Sequence, residues 1–169
     1  QTRQMSIACC RNASPSGTVS MQLELDMQNV SASARVPAKA DLVLWATAVL
    51  TGRREEAQLT IRIVDRDESA ELNQRYRGKQ GPTNVLSFPF EPPPGVPGCP
   101  LLGDLVVCAP VVEREAREQA KAVDAHWTHM VVHGVLHLLG YDHSDDAQAE
   151  EMEGLETLLL RGLGFPQPY

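Results

Sequence analysis

The stretch DAHWTHMVVHGVLHLLGYDH, Asp124 to His143, decides how the rest of the chain must be arranged. At about 100° per residue, His126, His129, His133 and His137 fall on one narrow stripe of a helix expected over residues 125–139. Asp124 is its expected cap and Gly140 its end. The remainder of that helix, from Trp127 through Val131, Val132 and Val135 to Leu139, is apolar almost all round. Such a helix belongs inside a core, and its single polar stripe must face something that satisfies imidazoles. His133 and His137, at i and i+4, can converge on one ion, and Gly140 lets the chain reverse so that His143 returns as a third nitrogen donor. Three donors leave one position for water, the pattern of a catalytic rather than a structural zinc site. Water held there has its pKa drawn from about 15.7 towards about 7. The expected centre is one divalent ion on His133, His137 and His143. Zinc is the expected metal, although nickel, copper or iron also suit three imidazoles. His126 and His129 lie further along the stripe and are read as lining the site or supporting its ligands from behind.

Outward from this helix, Ser144, followed by Asp145 and Asp146, is the expected cap of a last helix ending near Gly162. Upstream, Leu101 to Ala109 reads as a strand and Pro110 as the start of a helix over 111–123. Residues 22–30, 59–64 and 84–90 have the alternation or the β-branched and aromatic content of strands. Residues 40–50 carry helical spacing, and Asp65 or Asp67 can cap a helix running to about Tyr76, with Gly78 closing it. The order β-α-β-α-β-β-α-α-α predicts a single α+β domain over 21–169, a small mixed four-stranded sheet packed with about five helices, built around a metalloprotease-like histidine helix. Residues 1–20 are polar and small, with no apolar stretch of about 7 to 15 residues, so they do not read as a secretory signal. They are expected to be a disordered leader, and a chain opening on Gln1 suggests a trimmed start.

Composition narrows the classes. A chain of 169 residues with 43% hydrophobic and 22% charged content is an ordinary globular domain. No apolar run approaches the roughly 18 to 20 residues of a membrane span. Cys9, Cys10, Cys99 and Cys108 form no Cys-x-x-Cys pair, which excludes a zinc knuckle and a disulfide framework and favours the cytoplasm. Cys108 reads as a small apolar strand residue. The net charge of −7 argues against nonspecific nucleic-acid binding over the whole surface. The charge is polarised, however. Gly52 to Lys79 holds seven basic and six acidic residues, whereas Tyr141 onward holds seven acidic residues and only Arg161.

The spacing His-x-x-x-His-x-x-Gly-x-x-His is also that of metzincin proteases, which makes a zinc-dependent protease one alternative. Those enzymes need Glu as general base after the first histidine, and this chain has Gly134 there. Chemistry that depends more on stabilising charge than on delivering a proton, such as phosphodiester cleavage, fits better.

The block His133-Gly134-Val135-Leu136-His137-Leu138-Leu139-Gly140-Tyr141-Asp142-His143 closely resembles the signature of the YbeY family of bacterial endoribonucleases. The stretch YRGKQGPTNVLSFPF, Tyr76 to Phe90, resembles that family's other long motif, and Leu102-Gly103-Asp104-Leu105 a third; the resemblance runs from about Met21 to Phe165. It implies a metal-dependent, single-strand-specific endoribonuclease of rRNA maturation, acting at the 3′ end of the small-subunit 16S rRNA, and of ribosome quality control. It implies a cytoplasmic protein working with the small ribosomal subunit and assembly factors such as the Era GTPase. By the same resemblance the ligands are His133, His137 and His143, Arg77 is the functional arginine, and Lys79 lies in its basic motif.

Physical chemistry agrees with these roles. Cleavage of RNA builds negative charge on phosphate oxygens, to which a guanidinium offers planar bidentate donation. Arg77 is expected to make that contact, and Lys79 either touches a neighbouring phosphate as a point charge or is an ordinary solvated lysine. His129 and Asp142 are expected to hold ligating imidazoles from behind, with a turn-forming aspartate as the other reading of Asp142. Asp104 carries no assignment. A further alternative is a non-catalytic ribosome-assembly factor with a structural metal, docking through the acidic helix from Asp145 to Glu156; a solvated helix face is the plainer reading of those acids.

Overall fold

Strand and helix propensities resolve into nine elements in this computed structural model, which describes residues 20–95 and 98–169. They are β1 (Gln22–Asn29), α1 (Lys39–Leu50), β2 (Glu56–Val64), α2 (Arg66–Arg77), β3 (Val85–Pro89), β4 (Leu101–Cys108), α3 (Ala109–Glu118), α4 (Val123–Leu138) and α5 (Asp146–Gly162). The sheet order is β1-β2-β4-β3, with β1, β2 and β4 parallel and β3 antiparallel on the edge. This is the expected α+β domain with a mixed four-stranded sheet and five helices. Pro89 closes the edge strand, where a missing N–H breaks no ladder. The expected leader lies outside the described residues, apart from Ser20. Among the described residues no helix is long and apolar enough to cross a membrane.

Period-two patterning explains the sheet. Ala57, Leu59, Ile61 and Ile63 of β2 all point into one core, each no more than 2% exposed. That core is shared with Leu42, Trp45 and Val49 of α1 and with the apolar body of α4. On the other face, Leu72 of α2 packs with Val64, Leu86, Val106, Cys108 and Val111. β4 is therefore buried on both faces, and Cys108 is the packed strand residue its sequence suggested. One irregularity matters. Gln58 pairs with Leu101 but Leu59 pairs with Gly103, so Leu102 is an extra residue that resets the side-chain alternation. Gly103 takes φ +143°, and a Cβ there would stand 2.3 Å from the Phe88 carbonyl oxygen. Only glycine fits.

Several boundaries depart from expectation. α3 stops at Glu118 rather than 123, because Ala120 turns left-handed (φ 52°) and Lys121 N–H donates back to the Ala116 carbonyl. α4 consequently starts at Val123, its cap position is Ala122, and Asp124 sits inside the first turn without capping it. α5 is capped by Asp145, whose Oδ1 accepts from Gln148 N–H at 2.8 Å. Ser144 is not the cap; its hydroxyl donates to Asp142 instead. Asp65 stands at the cap position of α2, yet its carboxylate accepts from Ser31 and Ala32 and so ties the β1–α1 connection to the end of β2. Short polar side chains have several partners within reach: Asp65 is taken by a tertiary neighbour, Ser144 by the aspartate two residues before it.

Candidate metal centre

Because α4 is apolar apart from its histidine stripe, it runs through the core, touching α1, α3, α5, β3 and β4. His133 and His137, one turn apart, are half-buried at its C-terminal end. Their Nε2 atoms lie 3.1 Å apart. After the helix, Gly140 takes φ 101° and Tyr141 N–H donates to the Leu136 carbonyl, which turns the chain back. The His143 ring then stands 5.9 Å from that of His133 and 5.1 Å from that of His137, centre to centre. One nitrogen from each of the three lies within 4.8 Å of the others. A tetrahedral ion with bonds of about 2.0 to 2.1 Å needs nitrogens about 3.3 Å apart. The His133–His137 pair is already close to that spacing, and exposed His143 is free to complete it. Burial, reinforced by the neighbouring His133 and His143, holds the pKa of His137 below its ordinary value, which favours the neutral form a metal requires. The donor set fits a divalent transition metal.

The orientation of His133 comes from a residue the sequence reading did not single out. Glu156 of α5, with no exposed surface, accepts a hydrogen bond from His133 Nδ1. That fixes the proton on Nδ1 and leaves the Nε2 lone pair facing the ion site. Glu156 also accepts from His129 Nε2 at 3.1 Å and from the Tyr169 hydroxyl. Burial by itself pushes the Glu156 carboxyl up, but these three hydrogen bonds outweigh it and bring the pKa to about 2. The same burial and the adjacent carboxylate push the Tyr169 phenol up. His129, His133 and Glu156 also have ligand-like spacing, but both imidazoles hydrogen-bond to the Glu156 carboxylate.

A signal for Glu156 existed. Met152, Glu156 and Leu160 form the buried stripe of α5, so this acid stands where an apolar residue is expected. It is thus no part of a solvated acidic face. His126 faces elsewhere, pairing with Glu115 at 3.2 Å, and Glu115 in turn accepts from Asn84. Asp142 makes no hydrogen bond to an imidazole among the described residues; its oxygens accept from His143 N–H and the Ser144 hydroxyl, the arrangement of a turn-forming aspartate.

A cleft of about 700 Å³ opens beside the histidines. Its walls are His133, His137 and His143 on one side and Tyr76, Arg77 and residues 83–89 on the other. Arg77 is the last residue of α2, presented by the left-handed Gly78 (φ 64°) that ends the helix. Lys79 lies beyond that turn, exposed, and does not line the cleft. β3 is held against α4 by the Ser87 hydroxyl, which donates to the Gly134 carbonyl at 3.2 Å. Gly134 itself faces the sheet: a Cβ there would lie 2.8 Å from Leu105 Cδ2 and 3.3 Å from Val85 Cγ2. The general-base position of a zincin is therefore packed against the sheet.

The family model described as endoribonuclease YbeY matches residues 23–164. Among solved structures, the solution structure of TM1509 from Thermotoga maritima is similar at 26% identity and a TM-score of 0.55, covering 83% of this chain and 87% of that one.

Proposed function

The chain belongs to the YbeY endoribonuclease family, and on that premise we propose that it is a single-strand-specific, metal-dependent endoribonuclease of rRNA maturation. The observation that carries the reading is that Arg77 and the three histidines line one cleft. His133, His137 and His143 are the residues that would hold the ion, zinc by preference. Once bound, such an ion supplies Lewis acidity towards a phosphate oxygen and a source of nucleophile at neutral pH.

The protein's own groups do the rest. The single strand lies along the cleft between the histidines and β3. Arg77 donates in its planar fork to the scissile phosphate and stabilises the charge that develops on its oxygens. Glu156 holds His133 in the ligating tautomer, and His129 and Tyr169 keep that carboxylate ionised and fixed. Lys79, exposed just past the Gly78 turn, meets a flanking phosphate. The physiological target we propose is the 3′ end of 16S rRNA, in maturation and ribosome quality control, in the cytoplasm and with the small subunit and the Era GTPase as partners.

The test is Arg77→Ala. Cleavage of single-stranded RNA should fall by about 100-fold or more, the loss expected for one removed charge-stabilising donor, with metal content and folding unchanged. Unaltered cleavage would refute the assignment. The packing of Gly134 against Leu105 and Val85 speaks against the protease alternative, since nothing at that position offers a base to the cleft.

A further inference from the structure

Behind the loop that returns His143 lies a second cavity of about 420 Å³. Arg53 and Arg54 line it together with Tyr141, Asp142, Gln148 and Glu151. Asp142 lines both this cavity and the histidine cleft, so one residue forms the wall between them. The two arginines follow α1 in a turn fixed by two hydrogen bonds: the N–H groups of Arg53 and Arg54 both donate to the Leu50 carbonyl at 2.9 Å. Arg53 is half-buried and its Nη1 donates to the Val49 carbonyl, also at 2.9 Å. Arg54 makes no ion pair among the described residues, although carboxylates line the same cavity.

The cavity therefore carries guanidinium donors and carboxylate or amide acceptors together. A simple anion would be repelled by Asp142 and Glu151, and a simple cation by the arginines. A nucleotide satisfies both, with its phosphate on the guanidinium groups and its ribose hydroxyl or base amine on the acceptors. We propose that this cavity is a second subsite for the single-stranded RNA, holding a nucleotide that flanks the cleavage point with its phosphate on Arg53 and Arg54. The subsite rests on the endoribonuclease reading above, and it makes the strand cross the Asp142 wall on its way from Arg77 past the three histidines.

The test is fluorescence anisotropy of zinc-loaded protein with labelled, phosphorothioate-linked single-stranded RNAs of about four and about twelve nucleotides, a range spanning typical single-strand sites, over a salt series. The longer RNA should bind more tightly. In the Arg53→Gln/Arg54→Gln double variant its affinity should fall about 5- to 10-fold, and the log–log salt slope should shrink by about 0.7 per lost phosphate contact. Arg54→Gln alone, which leaves the α1 terminus intact, should give about half that slope change, and Arg161→Gln should bind as the wild type does. Wild-type affinity and slope in both cavity variants would overturn the subsite. Cleavage of ordinary RNA is measured in parallel. A wild type that binds with this arginine dependence yet does not cut overturns the nuclease reading alone, and one that cuts while the cavity variants bind normally overturns the subsite alone. Absence of any RNA binding overturns both.

Discussion

Glu156 shows how much one side chain can decide. It is fully buried, accepts from His129, His133 and Tyr169, and carries a charge that three donors keep in place. Glu156→Gln preserves the volume but replaces one acceptor oxygen by an amide NH2, a donor that faces existing N–H and O–H donors. His133 then loses its tautomer constraint, and metal affinity should fall about 10- to 100-fold, the range usual for partners behind a ligating histidine. Competition with a chromophoric chelator measures it; unchanged affinity would mean that His133 needs no support. The histidine spacing made the ligands legible at this scale, since i, i+4 and a Gly turn are local geometry. Asp142 was ambiguous for the converse reason: its carboxylate reaches both a neighbouring imidazole and its own backbone, and the backbone won.

Elements meet at β4, where Gly103 and Gly134 test two kinds of close approach. At Gly103 a Cβ would strike the backbone oxygen of Phe88 in the paired strand, and φ is +143°. Gly103→Ala must break either the bulge or the β3–β4 ladder, a loss of about 3 kcal/mol or more from strain and overpacking together. Thermal unfolding should drop by roughly 6 to 12 °C, with cleavage impaired because β3 walls the cleft. At Gly134 the obstacle is the tip of Leu105, and alanine improves helix propensity, so Gly134→Ala should cost only about 1 kcal/mol. Equal losses would show that the Gly103 bulge has no special constraint.

The contact between α3, α4 and the start of β3 also carries a pH signature. A hydrogen bond from His126, assisted by one from Asn84, holds the Glu115 carboxyl below its ordinary 4.5 against the opposing effect of burial. A carboxyl depressed in the folded state contributes stability above its unfolded pKa and loses it as pH falls through the folded value. Urea unfolding of wild type and Glu115→Gln should therefore differ most near neutrality, and the gap should narrow below about pH 4.5. A gap that is constant with pH would remove Glu115 from the acid sensitivity.

For the whole molecule, the continuous apolar core from α1 through β2 to α4 includes none of the three converging histidines. A divalent metal bound to them should therefore stabilise the protein without being required for folding. At about 100 times its Kd, bound metal adds about 2.7 kcal/mol, which corresponds to roughly 5 to 11 °C in Tm. Chelated protein should keep its far-ultraviolet circular dichroism at 25 °C and melt earlier by that amount. Unfolding on chelation would instead identify a structural metal, as in the assembly-factor alternative.

The sequence by itself determined what repeats over short range. Strand alternation, the buried histidine helix, the Gly140 reversal and the Gly78 cap follow from neighbours within a turn or two, so element order, sheet size and the three converging histidines were all legible. Tertiary structure alone decided which distant side chains serve them. Arg77 reaches the histidine cleft because antiparallel β3 borders α4 at the sheet edge and carries the turn that follows α2. Glu156 reaches His133 because α5 folds back on α4, and Asp65 does not cap α2 with its carboxylate because Ser31 and Ala32, distant in sequence, take it. A periodic pattern encodes a face, but a hydrogen bond chooses its partner only after the faces have packed.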